Sequence, residues 1–95
     1  MIRYTAYFNG HVQGVGFRYS AAHIARRHPV AGYVQNLPDG RVRIVAEGEP
    51  QAIDQFFDHI RDALSRHIED CNIERGNFTG EFGQPGQPDT FGIRY

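Results

Sequence analysis

The chain has 95 residues, of which 40% are hydrophobic and 22% are charged, and its formal net charge at pH 7 is −1. This length supports one modest core, so a single domain over residues 1–95 is expected. The charge balance argues against nucleic-acid and anionic-membrane partners, and no apolar run approaches the roughly 20 residues of a membrane span. Cys71 is the only cysteine, which excludes an intramolecular disulfide, and residues 1–5 do not resemble a signal peptide. A cytoplasmic location is therefore expected.

The first third of the chain predicts a strand, a glycine-rich loop and a helix. Residues 2–9 carry an apolar side chain at every second position, which predicts a strand with one buried face. Three glycines follow within seven positions of the segment 10–18. Residues 17–28 then place their apolar side chains on one helical stripe, and Pro29 ends the helix.

The middle of the chain predicts a hairpin and a second helix. Strands over residues 31–37 and 41–47 flank the turn sequence PDG at 38–40, which favours an antiparallel hairpin. Alternation places Glu47 on the solvent side of the second of these strands. Pro50 suits the first turn of a helix. The clearest helical period of the chain follows it, carried by Ile53, Phe56, Phe57, Ile60 and Leu64.

The last third is less regular. A strand is expected between residues 71 and 79, an exposed loop over Gly80–Pro88, and a short closing strand over residues 91–95. The resulting order is βαββαβ, with one further strand near the end. This order predicts an α+β sandwich of ferredoxin-like type, an antiparallel sheet of four to five strands with two helices packed on one face.

The glycine-rich segment has the features of an anion site. A strand, a glycine loop and a helix start direct several backbone N–H groups into one small space, where the helix dipole is positive. Arg18 adds planar donors that match two phosphate oxygens, and a cation at a helix N-terminus is disfavoured unless an anion lies beside it. A plain turn with a surface arginine is the alternative. The segment lacks the third glycine of a dinucleotide fingerprint and the Lys-Ser/Thr of a P-loop.

Asn36 is the second polar residue of interest. Alternation places it on the helix-facing side of its strand, where a carboxamide needs hydrogen-bond partners. The alternative is that its side chain only satisfies the neighbouring turn. The five histidines lack metal-ligand spacing, and no serine or cysteine lies in a nucleophile motif. No metal and no cofactor are therefore expected.

Two segments resemble the signatures of the acylphosphatase family. Residues 10–18, GHVQGVGFR, are similar to its signature loop, and residues 32–42, GYVQNLPDGRV, are similar to its second signature. The closing FGIRY at 91–95 resembles the last strand of that family. The resemblance covers almost the whole chain, and residues 66–89 depart from it most.

The resemblance implies hydrolysis of the carboxyl–phosphate bond of acyl phosphates, without a metal ion, a cofactor or a covalent intermediate. It implies that Arg18 binds the phosphate and that Asn36 orients the attacking water. The loop whose backbone N–H groups surround the phosphate would consist of Gln13, Gly14, Val15, Gly16, Phe17 and Arg18. The expected partner is a small-molecule acyl phosphate, bound by a monomer that contacts neither nucleic acid nor membrane.

Two other classes of protein stay open. One is a non-catalytic module of acylphosphatase-like fold that binds phosphate or another anion. The other is a ferredoxin-like RNA-binding domain that uses aromatic side chains of its sheet. The near-neutral charge and the missing RNP-type segment count against the second class.

Overall fold

The computed structural model describes residues 1–14 and 16–95. In chain order the elements are β1 (Ile2–Gly10), α1 (Phe17–Ala25), β2 (Ala31–Asn36), β3 (Val42–Gly48), α2 (Pro50–Ala63), β4 (Ile68–Asn77) and β5 (Phe91–Arg94). Val15 of the predicted loop lies outside the described residues. The predicted elements are confirmed in order and type, although α1 ends at Ala25 and the chain reaches Pro29 through turns rather than through helix.

The five strands form one sheet in the order β4-β1-β3-β2-β5, and both helices bury their apolar stripes against the same face. The predicted ferredoxin-like α+β fold is confirmed. The prediction of a wholly antiparallel sheet is wrong at one edge, because β5 runs parallel to β2, with Gly32 opposite Phe91. The other three pairings are antiparallel.

The parallel pairing follows from the path between β4 and β5, which lie at opposite edges of the sheet. β4 ends with Asn77 opposite Ile2, at the end of the sheet where β2 begins. Residues 78–90 cross that end, and the N–H of Gly32 then donates to the carbonyl of Thr90 at 2.8 Å. β5 therefore starts beside the start of β2 and continues in the same direction.

The hydrophobic core lies between the sheet and the two helices. The stripe of α1 is Phe17, Ala21, Ile24 and Ala25, and that of α2 is Ile53, Phe56, Phe57 and Ile60. Burial of one large apolar side chain contributes about 1.5–3 kcal/mol, so these two stripes hold the helices on the sheet. Neither described helix is long and apolar enough to cross a membrane.

The prediction that Glu47 lies in solvent is also wrong. Glu47 lies on the face away from the helices, as alternation predicts, but it is 0% exposed rather than in solvent. The crossing segment covers it, and the backbone N–H groups of Thr79 and Gly80 donate to its carboxylate at 2.9 and 3.0 Å. The Nε of Arg3 donates to the same carboxylate at 2.8 Å, and the Arg3 guanidinium also contacts Glu81. The loop predicted to be exposed is thus attached to the sheet at its start.

Candidate active site

A cleft of about 220 Å³ opens where β1 has ended, α1 begins and β2 ends. Its described lining consists of Val12, Gly14, Gly16, Phe17, Arg18, Tyr19 and Asn36. The cleft therefore contains both side chains that the sequence singled out, Arg18 and Asn36. No carboxylate belongs to this described lining, so it favours an anion over a cation.

The loop before α1 depends on two glycines. Gly14 and Gly16 both have a φ of +78°, in the left-handed region that other residues avoid. An added Cβ would meet nothing within 4 Å at either position, so backbone conformation, rather than crowding, requires glycine there. Gly16 is the N-cap of α1; no side chain caps this helix, and its first turn contains no acidic residue. The first-turn N–H groups have no acceptor within the helix, which leaves them available to an anion.

Arg18 is the second residue of α1 and is half-buried. The central carbon of its guanidinium lies 4.9 Å from the centroid of the Tyr95 ring. The hydroxyl groups of Tyr95 and Tyr19 lie 3.4 Å apart beside it. None of the ion pairs found among residues 1–14 and 16–95 involves Arg18. A guanidinium stacked on a ring keeps its in-plane N–H groups for a ligand.

Asn36 is the last residue of β2 and pairs with Val42 across the hairpin. Val34, two residues earlier on the same face, is fully buried in the core, as alternation predicts. The Oδ1 of Asn36 is buried, and no group of the described residues donates a hydrogen bond to it. Buried acceptors without a donor are rare in native proteins, so this oxygen requires an explanation beyond the fold.

Gln13 makes a contact that sequence reasoning missed. Its side-chain amide donates to the carbonyl of Leu37 at 2.8 Å and to the carbonyl of Arg41 at 2.9 Å. Leu37 follows the last residue of β2 and Arg41 precedes the first residue of β3, so the side chain attaches the glycine-rich loop to the turn end of the hairpin. No local pattern signals this contact, because it joins residues that are 24 and 28 positions apart.

The described lining of the cleft includes no His, Cys, Asp or Glu side chain. Within the part of the chain that the structure describes, no three His, Cys, Asp or Glu side chains form a group that could hold a metal ion. The ring nitrogens of His28 and His59 lie 3.0 Å apart, but neither residue belongs to the described lining of the cleft. Burial, with the nearby His59 and Arg27, lowers the pKa of His28 from its ordinary value.

The family model for acylphosphatases matches residues 4–90 of this sequence. The chain belongs to the acylphosphatase family. An acylphosphatase of Archaeoglobus fulgidus is 49% identical over 61 residues, which cover 64% of this chain and 68% of the relative. An acylphosphatase of Yersinia pseudotuberculosis serotype O:1b is 41% identical over 90 residues, which cover 95% of this chain and 92% of the relative.

The fold comparison agrees with the sequence comparison. The crystal structure of acylphosphatase from Bacillus subtilis matches with a TM-score of 0.83 at 30% identity, and the match covers 100% of both chains. The protein is thus an acylphosphatase, an enzyme that hydrolyses the carboxyl–phosphate bond of a small-molecule acyl phosphate. The non-catalytic anion-binding module is not favoured, because the curated relatives that span most of the chain are acylphosphatases.

Proposed function

We propose that Arg18 and the backbone N–H groups of the loop bind the phosphate of the substrate, and that Asn36 orients the attacking water. The loop comprises Gln13, Gly14, Val15, Gly16, Phe17 and Arg18, of which Val15 lies outside the described residues. The observation that carries the proposal is that Arg18 and Asn36 line one cleft whose described lining has no carboxylate. One side chain contributes fixed positive charge and the other a buried oxygen without a donor.

The binding half of the site suits phosphoryl transfer. Its transition state spreads charge over the equatorial phosphate oxygens and depends on positioning and electrostatic stabilisation. The Arg18 fork can bind two of those oxygens in its plane. The uncapped start of α1 adds N–H donors and the positive end of the helix dipole.

The hydrolytic half of the site needs no strong base. An acyl phosphate leaves as a carboxylate, which requires little protonation. In the proposed step, a water held by the side-chain amide of Asn36 attacks phosphorus. The new P–O bond forms as the P–O bond to the acyl group breaks, and the carboxylate departs with the electron pair. A phosphate oxygen of the substrate accepts the proton of the water, so no metal ion and no covalent intermediate take part.

The proposal also covers the oligomeric state, the location and the partners of the enzyme. Elements β1, α1 and β2 of one chain contribute both named side chains and the loop, so a monomer and a single domain over residues 1–95 suffice. A cytoplasmic location is supported by the single cysteine, Cys71. The near-neutral net charge supports a protein without nucleic-acid or membrane partners.

The experiment that tests the proposal measures hydrolysis of an aryl acyl phosphate, such as benzoyl phosphate, with a chelator present throughout. Equal release of carboxylate and inorganic phosphate is expected, at a rate that the chelator leaves unchanged. Folding is checked by circular dichroism and binding of inorganic phosphate by calorimetry. Folded protein that binds phosphate without turnover would support the non-catalytic module instead, and activity that the chelator abolishes would contradict the metal-free mechanism.

A further inference from the structure

Gln13 holds a position between the core and the cleft. Val12 before it is fully buried, and Gly14 after it lines the cleft. Outside the helices and strands, the backbone hydrogen bonds of the described residues include none made by residues 11–14. The side-chain amide of Gln13 therefore supplies two direct hydrogen bonds that join this part of the loop to the hairpin.

The two carbonyls that accept from Gln13 lie next to Asn36 in the fold. Leu37 directly follows Asn36, so one bond ends one residue from the proposed water-orienting side chain. The carbonyl of Arg41 also accepts a hydrogen bond from the N–H of Leu37 at 2.8 Å, which closes the turn of the hairpin. One amide thus contacts the residue that follows β2 and the residue that precedes β3. Loss of these two bonds would therefore let the loop move relative to Asn36.

The phosphate-binding half has a separate anchor. Phe17 begins α1 and is buried in the core, where its ring lies 5.4 Å from that of Phe8. Arg18 follows on the same helix and is held without help from Gln13. Gln13 contributes only a backbone N–H to the proposed loop, so loss of its side-chain bonds should change the distance between Arg18 and Asn36 more than the phosphate-binding groups at the start of α1.

We propose that Gln13 is a positioning residue that sets the spacing between the phosphate-binding loop and Asn36. This inference rests on the proposed function, because the spacing affects the rate only if the loop binds the phosphate and Asn36 orients the water. The effect should be large, since a misplacement of about 1 Å in a catalytic arrangement can cost about 10²-fold in rate. It should appear in kcat rather than in the affinity for phosphate.

The test is Gln13→Met, which keeps the length of the side chain and removes its N–H donors. Gln35→Met is the matched control, because Gln35 is also half-buried and hydrogen-bonded but accepts from Arg43 at 2.9 Å on the other face of β2. We expect kcat for benzoyl phosphate to fall about 10–100-fold in Gln13→Met, with the calorimetric Kd of inorganic phosphate within about threefold. Both values should stay within about twofold in Gln35→Met.

A double-mutant cycle distinguishes an effect of Gln13 that acts through Asn36 from a general loss of order in the active site. Combined with Asn36→Ala, the Gln13→Met change should cost much less than it does alone, because it acts through Asn36. If Gln13→Met does not fold, Gln13→Asn replaces it, since the shorter side chain keeps the amide but cannot donate to both carbonyls. The cycle is then run with that variant and is expected to give the same result.

Three results would overturn the inference: an unchanged kcat in Gln13→Met, a loss of phosphate affinity as large as the loss of kcat, or a full additional loss in the Asn36→Ala background. The failure of the proposed function is a different result. A wild-type protein that binds phosphate but shows no turnover would overturn the function, whereas an active wild type that Gln13→Met leaves unchanged would overturn only the role of Gln13.

Discussion

The guanidinium of Arg18 lies over the ring of Tyr95, with the guanidinium carbon 4.9 Å from the ring centroid. The start of α1 and the residue after β5 therefore meet at the proposed phosphate site. Tyr95 is 83% exposed, so its ring contributes little to the core. We expect it instead to limit the conformations of Arg18 while the N–H groups of the guanidinium stay available to a ligand.

Tyr95→Ala should raise KM for an acyl phosphate by about 2–5-fold, because an exposed cation–π contact restrains Arg18 only modestly. Tyr95→Phe keeps the ring and should stay within about twofold of the wild type. Steady-state kinetics of the two variants check this expectation. An equal defect in both would contradict it and would assign the effect to the hydroxyl contact with Tyr19.

Asn36→Ala should lower kcat by about 10²-fold and leave the Kd of inorganic phosphate within about threefold, because the side chain acts on the water rather than on the phosphate. Single-turnover kinetics and calorimetry measure the two quantities. Asn72→Ala, at an exposed position of β4, is the control and should change neither. Equal losses of turnover and affinity in Asn36→Ala would argue that Asn36 binds phosphate.

Glu47→Gln should destabilise the protein at pH 7 by about 1.5–3 kcal/mol, because it removes the charge of a buried carboxylate that accepts hydrogen bonds from the half-buried Arg3 and from Thr79 and Gly80. Burial acts to raise the pKa of Glu47, but hydrogen bonds from Arg3, Thr79 and Gly80 outweigh it and hold that pKa below its ordinary value. A lowered folded-state pKa stabilises the protein above the unfolded value of about 4.3, and this stabilisation is lost as pH falls through the folded value.

This pH dependence is checked by measuring the free energy of unfolding in urea at pH 7 and at pH 3, for the wild type and for Glu47→Gln. The difference between the wild type and Glu47→Gln should be large at pH 7 and smaller at pH 3, because acid removes the advantage of the wild-type carboxylate. Glu74→Gln, at an exposed site on β4, should show little difference at either pH. If the difference between the wild type and Glu47→Gln is the same at both pH values, the stabilisation does not come from the charged carboxylate of Glu47.

Local patterns predicted the parts of the molecule that depend on near neighbours. Apolar periodicity predicted both helices, the turn sequence at 38–40 predicted the hairpin, and the glycine-rich segment predicted an anion site before the first helix. Arg18 and Asn36 share the cleft because a strand, a loop and a helix start bring them to one end of the sheet. Their catalytic roles remain predictions.

The features that the sequence could not predict depend on distant residues. Glu47 is buried by Thr79 and Gly80, more than 30 positions away, and is paired with Arg3, 44 positions away. The direction of β5 depends on the path of residues 78–90 across the sheet rather than on its own apolar pattern. The Gln13 contact has the same character, because its amide meets carbonyls that no sequence period relates to it.

The most direct test of the proposed site is the turnover of benzoyl phosphate by Arg18→Ala, compared with Arg27→Ala. Arg27 is an exposed arginine just beyond the same helix, so its loss removes an equal charge away from the cleft. We expect kcat/KM to fall by about 10²–10⁴ in Arg18→Ala and to stay within about twofold in Arg27→Ala. A folded Arg18→Ala variant with near-normal turnover would show that the phosphate-binding site lies elsewhere.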